Sequence, residues 1–222
     1  GMVEATTRGS YRLGPQAAAL AEDIAHWRSA EQRVCDWDGA WLVVSTGGLS
    51  RSDRVALRAR ERALALSGFR LLDSHLYLRP DNLVGHAAAA RDRLYKLGLD
   101  SNAPVFSVRD LDPERERLAR TLWQGDKLNA SYRQGRIKLQ AWIEHADQLD
   151  LDVAARESFL LGNDAIRQLV YDPLLPEPLV DVRERRAFTD MVRHYDQVGR
   201  DIWRRQLAQL SQQPAMPVAL TP

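Results

Sequence analysis

Trp37-Asp38-Gly39-Ala40-Trp41-Leu42-Val43-Val44-Ser45-Thr46 opens the stretch that decides the fold, and Gly68-Phe69-Arg70-Leu71-Leu72-Asp73-Ser74-His75-Leu76-Tyr77-Leu78-Arg79-Pro80 closes it. Trp41 to Val44 is short, apolar and β-prone, as a buried strand is. Ser50-Arg51-Ser52-Asp53 fits a helix start, because a short polar side chain satisfies a free backbone N–H. Val55, Ala59, Ala63 and Leu66 follow at helical spacing. Gly68 suits the left-handed cap that ends such a helix. Phe69 to Leu72 and Leu76 to Leu78 are strand-like on either side of Asp73-Ser74, a turn pair. Downstream, Leu83, Ala87, Ala90, Leu94 and Leu97 form a second helical stripe closed by Gly98, and Val105 to Val108 reads as a fourth strand. The order βαββαβ predicts a ferredoxin-like unit, with two helices on one face of an antiparallel sheet.

On the C-terminal side the chain reads as helices alone. Asp112-Pro113 is an N-cap followed by a first-turn proline. Helices are expected from Pro113 to about Trp123, from about Asp126 to Ala146, and from Val153 to Val170. The third stops at Asp172-Pro173, because proline disfavours helix in the residue before it. A last helix carries Ala187, Met191, Tyr195, Val198 and Ile202 on one stripe, and residues 211–222 read as a disordered tail. On the N-terminal side, Met2 to Thr6 and Ser10 to Leu13 read as a hairpin turning at Thr7-Arg8-Gly9. Gly14-Pro15 then starts a linker helix with Ala17, Leu20, Ile24 and Trp27 on its apolar stripe. The fold class is therefore α+β.

Three pieces of this sequence resemble the PaaX family of bacterial repressors of phenylacetate-degradation operons. They are Trp37-Asp38-Gly39-x-Trp41, the Gly68-Phe69 pair before a hairpin ending in Pro80, and Asp172-Pro173-Leu174-Leu175-Pro176. The resemblance runs from about Val3 to about Leu210. It implies a winged helix-turn-helix, a ferredoxin-like middle domain and an all-helical C-terminal domain. On that division residues 1–36 are the wing and linker helix, 37–111 the middle domain and 112–210 the helical domain. The sequence departs from the family pattern in having only the wing of the helix-turn-helix, which implies further residues before Gly1, and in having no tryptophan-proline-glycine step after Leu179. The function implied is a dimeric, DNA-binding repressor of an aromatic-acid catabolic operon, relieved by an aryl-coenzyme A thioester. Two rivals stay open: a ferredoxin-like nuclease-related enzyme, and a regulator that works through protein contacts without DNA.

Composition narrows the classes. The chain has 222 residues, of which 45% are hydrophobic, enough for a packed core. A formal net charge of +1 gives no global sign of nucleic-acid binding, so any basic surface is local. One cysteine, Cys35, excludes an internal disulfide and suits a reducing compartment. With no signal pattern and no run of about 18 apolar residues, the cytoplasm is the expected location, with no membrane partner.

Candidate site residues are few. Arg8 at the hairpin tip and Arg12, with Tyr11 between them, are the expected DNA contacts, through phosphate and sugar. Arg54, Arg58 and Arg62 recur at one-turn spacing on one helix face, which suits phosphates or an anionic effector. No metal, cofactor or catalytic residue is expected. The five histidines share no zinc-type spacing. Cys35 sits beside Asp36, which disfavours a thiolate. Asp110, Asp112, Glu114 and Glu116 suit the N-terminus of a helix better than a metal. Ferredoxin-like nucleases need an acid just after the first strand, and here Ser45-Thr46-Gly47-Gly48 occupies that place.

Overall fold

The computed structural model describes residues 3–7, 10–13, 25, 27–50 and 52–212. Strands β1 (Val3–Thr7) and β2 (Ser10–Leu13) pair antiparallel, with Val3 opposite Leu13 and Glu4 opposite Arg12. The expected hairpin is therefore present, one residue out at the first strand. Most of the expected linker helix and the tail from 213 onward lie outside the described residues.

Strands β3 (Trp41–Ser45), β4 (Arg70–Asp73), β5 (Leu76–Pro80) and β6 (Val105–Val108) form one sheet in the order β4-β5-β3-β6, and each adjacent pair is antiparallel. Helix α1 (Arg54–Leu66) connects β3 to β4, and α2 (His86–Leu97) connects β5 to β6. This is the ferredoxin-like arrangement the order of patterns predicts, within an α+β fold.

Local chemistry sets the helix ends. Asp53, not a serine, caps α1: its Oδ1 accepts from the amides of Val55 and Ala56 at 2.9 and 3.1 Å. That places Val55 in the first turn, where it is 79% exposed rather than part of the buried stripe. Leu83 likewise precedes α2 instead of belonging to it. Gly98 ends α2 with a φ of 107°, a conformation that glycine adopts without a Cβ penalty.

β3 is the spine of the molecule, because both its faces are buried. Leu42 and Val44 pack with Ala63, Leu64, Phe69, Leu94 and Leu97 under α1 and α2. Trp41 and Val43 point the other way, against Leu78, Trp123, Leu175, Leu179 and Val180. A strand covered on both sides reads as a continuous apolar run, which is why Trp41–Val44 shows no alternation.

The rest is helical: α3 (Pro113–Thr121), α4 (Gly125–His145), α5 (Leu151–Val170) and α6 (Val182–Gln212). The long α6 packs along both α4 and α5. Tyr132, Leu139, Ala165, Leu169, Phe188, Val192 and Tyr195 make their shared core. Trp27 is buried in that core too, as the first residue of a 3₁₀ turn, Trp27–Arg33. Sequence periodicity places Trp27 on a linker helix, but its packing ties this segment to the C-terminal helices.

Candidate functional site

Two of the family-like motifs, the hairpin ending in Pro80 and Asp172–Pro176, meet at one joint between the sheet and the helices. Arg79 is 4% exposed, and its guanidinium donates only to neutral oxygens among the described residues. These are the carbonyls of Ser67 (2.7 Å), Pro80 (3.2 Å) and Pro173 (3.2 Å), and Asn82 Oδ1 (3.2 Å). Fully buried Asn82 donates onward to the Leu174 carbonyl at 2.7 Å. Asp172 Oδ1 accepts from the Leu174 amide at 2.7 Å, and Tyr132 donates its hydroxyl to Asp172 Oδ2 at 2.6 Å. Burial holds the Asp172 carboxyl above the usual carboxylate range, against the pull of the Tyr132 hydrogen bond. Arg185, with no exposed surface, donates to the Leu175 carbonyl and, at 2.7 Å, to Glu31 Oε1 in the 3₁₀ turn. Residues 172–175 are thus held from the sheet, from α4 and from α6.

The tryptophan motif forms the second joint. Trp41 is fully buried, stacks on Trp123 at 6.1 Å, and meets the edge of Trp37 at 5.1 Å. Its Nε1 donates to Glu116 Oε2 at 2.8 Å. Trp123 donates to the Gly68 carbonyl at 3.0 Å. Gly39 takes a φ of 90°, as the turn before β3 requires.

The arginines separate into two kinds. Arg54, Arg58 and Arg62 are all exposed on α1. Between them Arg60 is 3% exposed, and it donates to Asp100 Oδ2 at 2.9 Å and to the Ser50 carbonyl at 3.2 Å. Of the hairpin candidates, Tyr11 lies opposite Ala5 and Arg12 opposite Glu4 in the β1–β2 register, while Arg8 lies outside the described residues.

A small cleft opens beside Arg79, on the helix-covered side of the sheet. It has a volume of about 110 Å³ and lies between β5, the loop after it and α2. Sequence reasoning missed it. The one available signal was Arg79 itself, a charge inside a strand otherwise apolar on both sides.

Residues 123–205 match the family described as "PaaX-like protein C-terminal domain". That stretch of the chain is similar to the C-terminal domain of PaaX proteins. No curated protein matches it. A solved structure, "Uncharacterized protein Rv0674 from Mycobacterium tuberculosis", is similar with a TM-score of 0.53 at 19% identity, covering 91% of this chain and 79% of that one. At that identity the likeness is one of fold. PaaX proteins are transcriptional regulators.

The segment matched to PaaX includes Trp123, Tyr132, Asp172 and Arg185, the helical half of both joints. An open groove of about 510 Å³ runs between α5 and α6. Phe159, Trp203 and Leu207 line the groove, at 62%, 40% and 56% exposure. Trp203 is thus a surface residue. Among the described residues no histidine, cysteine and acid cluster could hold a metal. Two of the acids after β6 have protein partners: Asp112 caps α3 and pairs with Arg115, and Glu116 pairs with Arg120. Burial, then Asp81 and Asp36, raise the Cys35 thiol pKa, which disfavours its thiolate. No described helix is long and apolar enough to cross a membrane.

Proposed function

We propose that this protein is a repressor of an aromatic-acid catabolic operon that binds double-stranded DNA as a homodimer in the cytoplasm and is released by an aryl-coenzyme A thioester. The observation that carries the reading is the PaaX-like match across residues 123–205. The working division is a wing and linker over 1–36, the ferredoxin-like domain over 37–111, the helical domain over 112–210 and a tail over 211–222. The protein acts by binding, without catalysis.

In this reading Arg8, Tyr11 and Arg12 of the hairpin touch the DNA backbone. Such contacts set register and affinity without reading bases, so base selection falls to a recognition helix of the winged-helix type. Arg54, Arg58 and Arg62 form an exposed cationic row suited to the phosphates of coenzyme A or of DNA, since guanidinium forks match phosphate oxygens. The effector works only if it binds the DNA-free state more tightly than the DNA-bound one.

The test is a salt titration of the native gene product on DNA. Arg8→Ala and Arg12→Ala each weaken binding about equally for all sequences and reduce the salt slope by roughly one unit. Unchanged slopes in both variants exclude the hairpin as the backbone contact.

A further inference from the structure

We propose, resting on the homodimer reading, that the groove between α5 and α6 is the face where two copies of this chain meet, each laying its α6 into the other's groove. Phe159 of α5 and Trp203 and Leu207 of α6 line the groove, yet 62%, 40% and 56% of their surfaces are exposed. Side chains of this size gain free energy when they are covered. Trp203 and Leu207 are four residues apart, so they stand one above the other on α6. Beside them the floor is low: Gly162 and Gly199 carry no side chain, and Tyr195 is only 1% exposed. A ridge of large groups thus runs next to a trough.

A second α6 running the opposite way fits that relief. A two-fold axis perpendicular to two antiparallel helices reflects one stripe of side chains onto its own copy. With the axis at the level of Asp201, Trp203 of one copy lies over Gly199 of the other, and Leu207 lies over Tyr195. Symmetry makes each of these large-on-low contacts twice. Asp196 then meets Gln206, a carboxylate opposite an amide that can donate to it.

Charge and area both allow the contact. The charged residues of the groove are Asp196, Arg200 and Arg204. Arg200 pairs with Asp196 at 3.1 Å, Asp196 also pairs with Arg28, and Arg204 pairs with Asp201. Two copies therefore meet without confronting unpaired like charges, which would oppose association. From Val192 to Leu207 the groove follows α6 for about 24 Å. A two-helix face about 20 Å wide then covers on the order of 500 Å² per copy, or about 1,000 Å² for the pair, the least that a specific interface needs.

Sedimentation of the whole chain over a concentration series tests this. The native protein is expected to form a dimer that dissociates on dilution. Phe159→Glu and Leu207→Glu each weaken the dimer at least about tenfold, because each puts a charge into a desolvated contact. Circular dichroism and melting of the single chain stay native, since both side chains face solvent there. Should one variant not fold, the other decides. A native dimer that the folded variants leave intact overturns the proposal while the homodimer reading stands. A native monomer overturns both. In that case, dimerisation on deleting residues 213–222 gives the groove to that segment. Binding of the dye anilinonaphthalene sulfonate, lost in Leu207→Glu, gives it instead to a small apolar molecule.

Discussion

Arg79 reaches 94 positions along the chain to donate from Nη2 to the Pro173 carbonyl at 3.2 Å. This contact, with Asn82 to Leu174, fastens the ferredoxin-like sheet to the start of the proline-rich link. Removing the guanidinium leaves several buried carbonyl oxygens without donors, each worth about 1–3 kcal/mol. Arg79→Met is expected to destabilise the protein by roughly 3 kcal/mol or more in denaturant titration. Arg79→Lys rescues little, because an ammonium lacks the planar fork.

Trp41 and Phe69 carry the two faces of the sheet. Trp41 is fully buried and Phe69 is 2% exposed, so each alanine replacement is expected to cost about 3–5 kcal/mol. Trp41→Ala also strands the Glu116 contact and the Trp123 stack. Tryptophan fluorescence during chemical unfolding measures both. A loss near zero for either contradicts the packing described.

The sequence made the sheet legible because its chemistry is local. Gly68 and Gly98 end helices by conformation, Asp112-Pro113 starts one, and β3 is apolar throughout. Val55 misled because period alone does not say where a cap lies; Asp53 shifts the first turn into solvent. The joints were not legible. That Arg79, Arg60 and Arg185 are buried, while Arg54, Arg58 and Arg62 are exposed, depends on partners 10 to 154 positions away. Nothing in a helical wheel separates Arg60 from its neighbours except the face it turns to Asp100. The cleft beside Arg79 has the same origin, since its walls come from separate elements.

Arg60 and Asp100 give a pH prediction. The Arg60 hydrogen bond holds the Asp100 carboxyl below its ordinary range. A carboxyl whose folded pKa is depressed adds stability above its unfolded value, near 3.9, and loses it as pH falls through the folded pKa. Asp100→Asn is therefore expected to destabilise by about 1–3 kcal/mol at neutral pH, since it also leaves buried Arg60 without its carboxylate. The difference from the native protein shrinks as the pH falls below about 4. Thermal melts of both proteins across that window check the sign.

Gly135 reports on the α4–α6 interface. A Cβ there would sit 2.6 Å from Phe188 Cε2, inside the helical core. Gly135→Ala raises helix propensity, yet it is expected to destabilise by about 1–3 kcal/mol through overpacking. Gly135→Ala paired with Phe188→Leu should recover part of that loss, because the leucine withdraws the obstructing ring edge. Equal stability of Gly135→Ala and the native protein would mean that the helices are spaced more widely.

We propose above that this PaaX-like protein reads DNA and lets go on binding an aryl-coenzyme A thioester. The most direct measurement is fluorescence anisotropy of the native gene product on promoter DNA from its own locus, against scrambled DNA, at fixed salt. The account predicts binding that is at least about a thousandfold tighter on the promoter, and release when a phenylacetyl-coenzyme A-type thioester is added but not when coenzyme A alone is added. Equal affinity for both DNAs, or promoter binding that the thioester leaves unchanged, would contradict it.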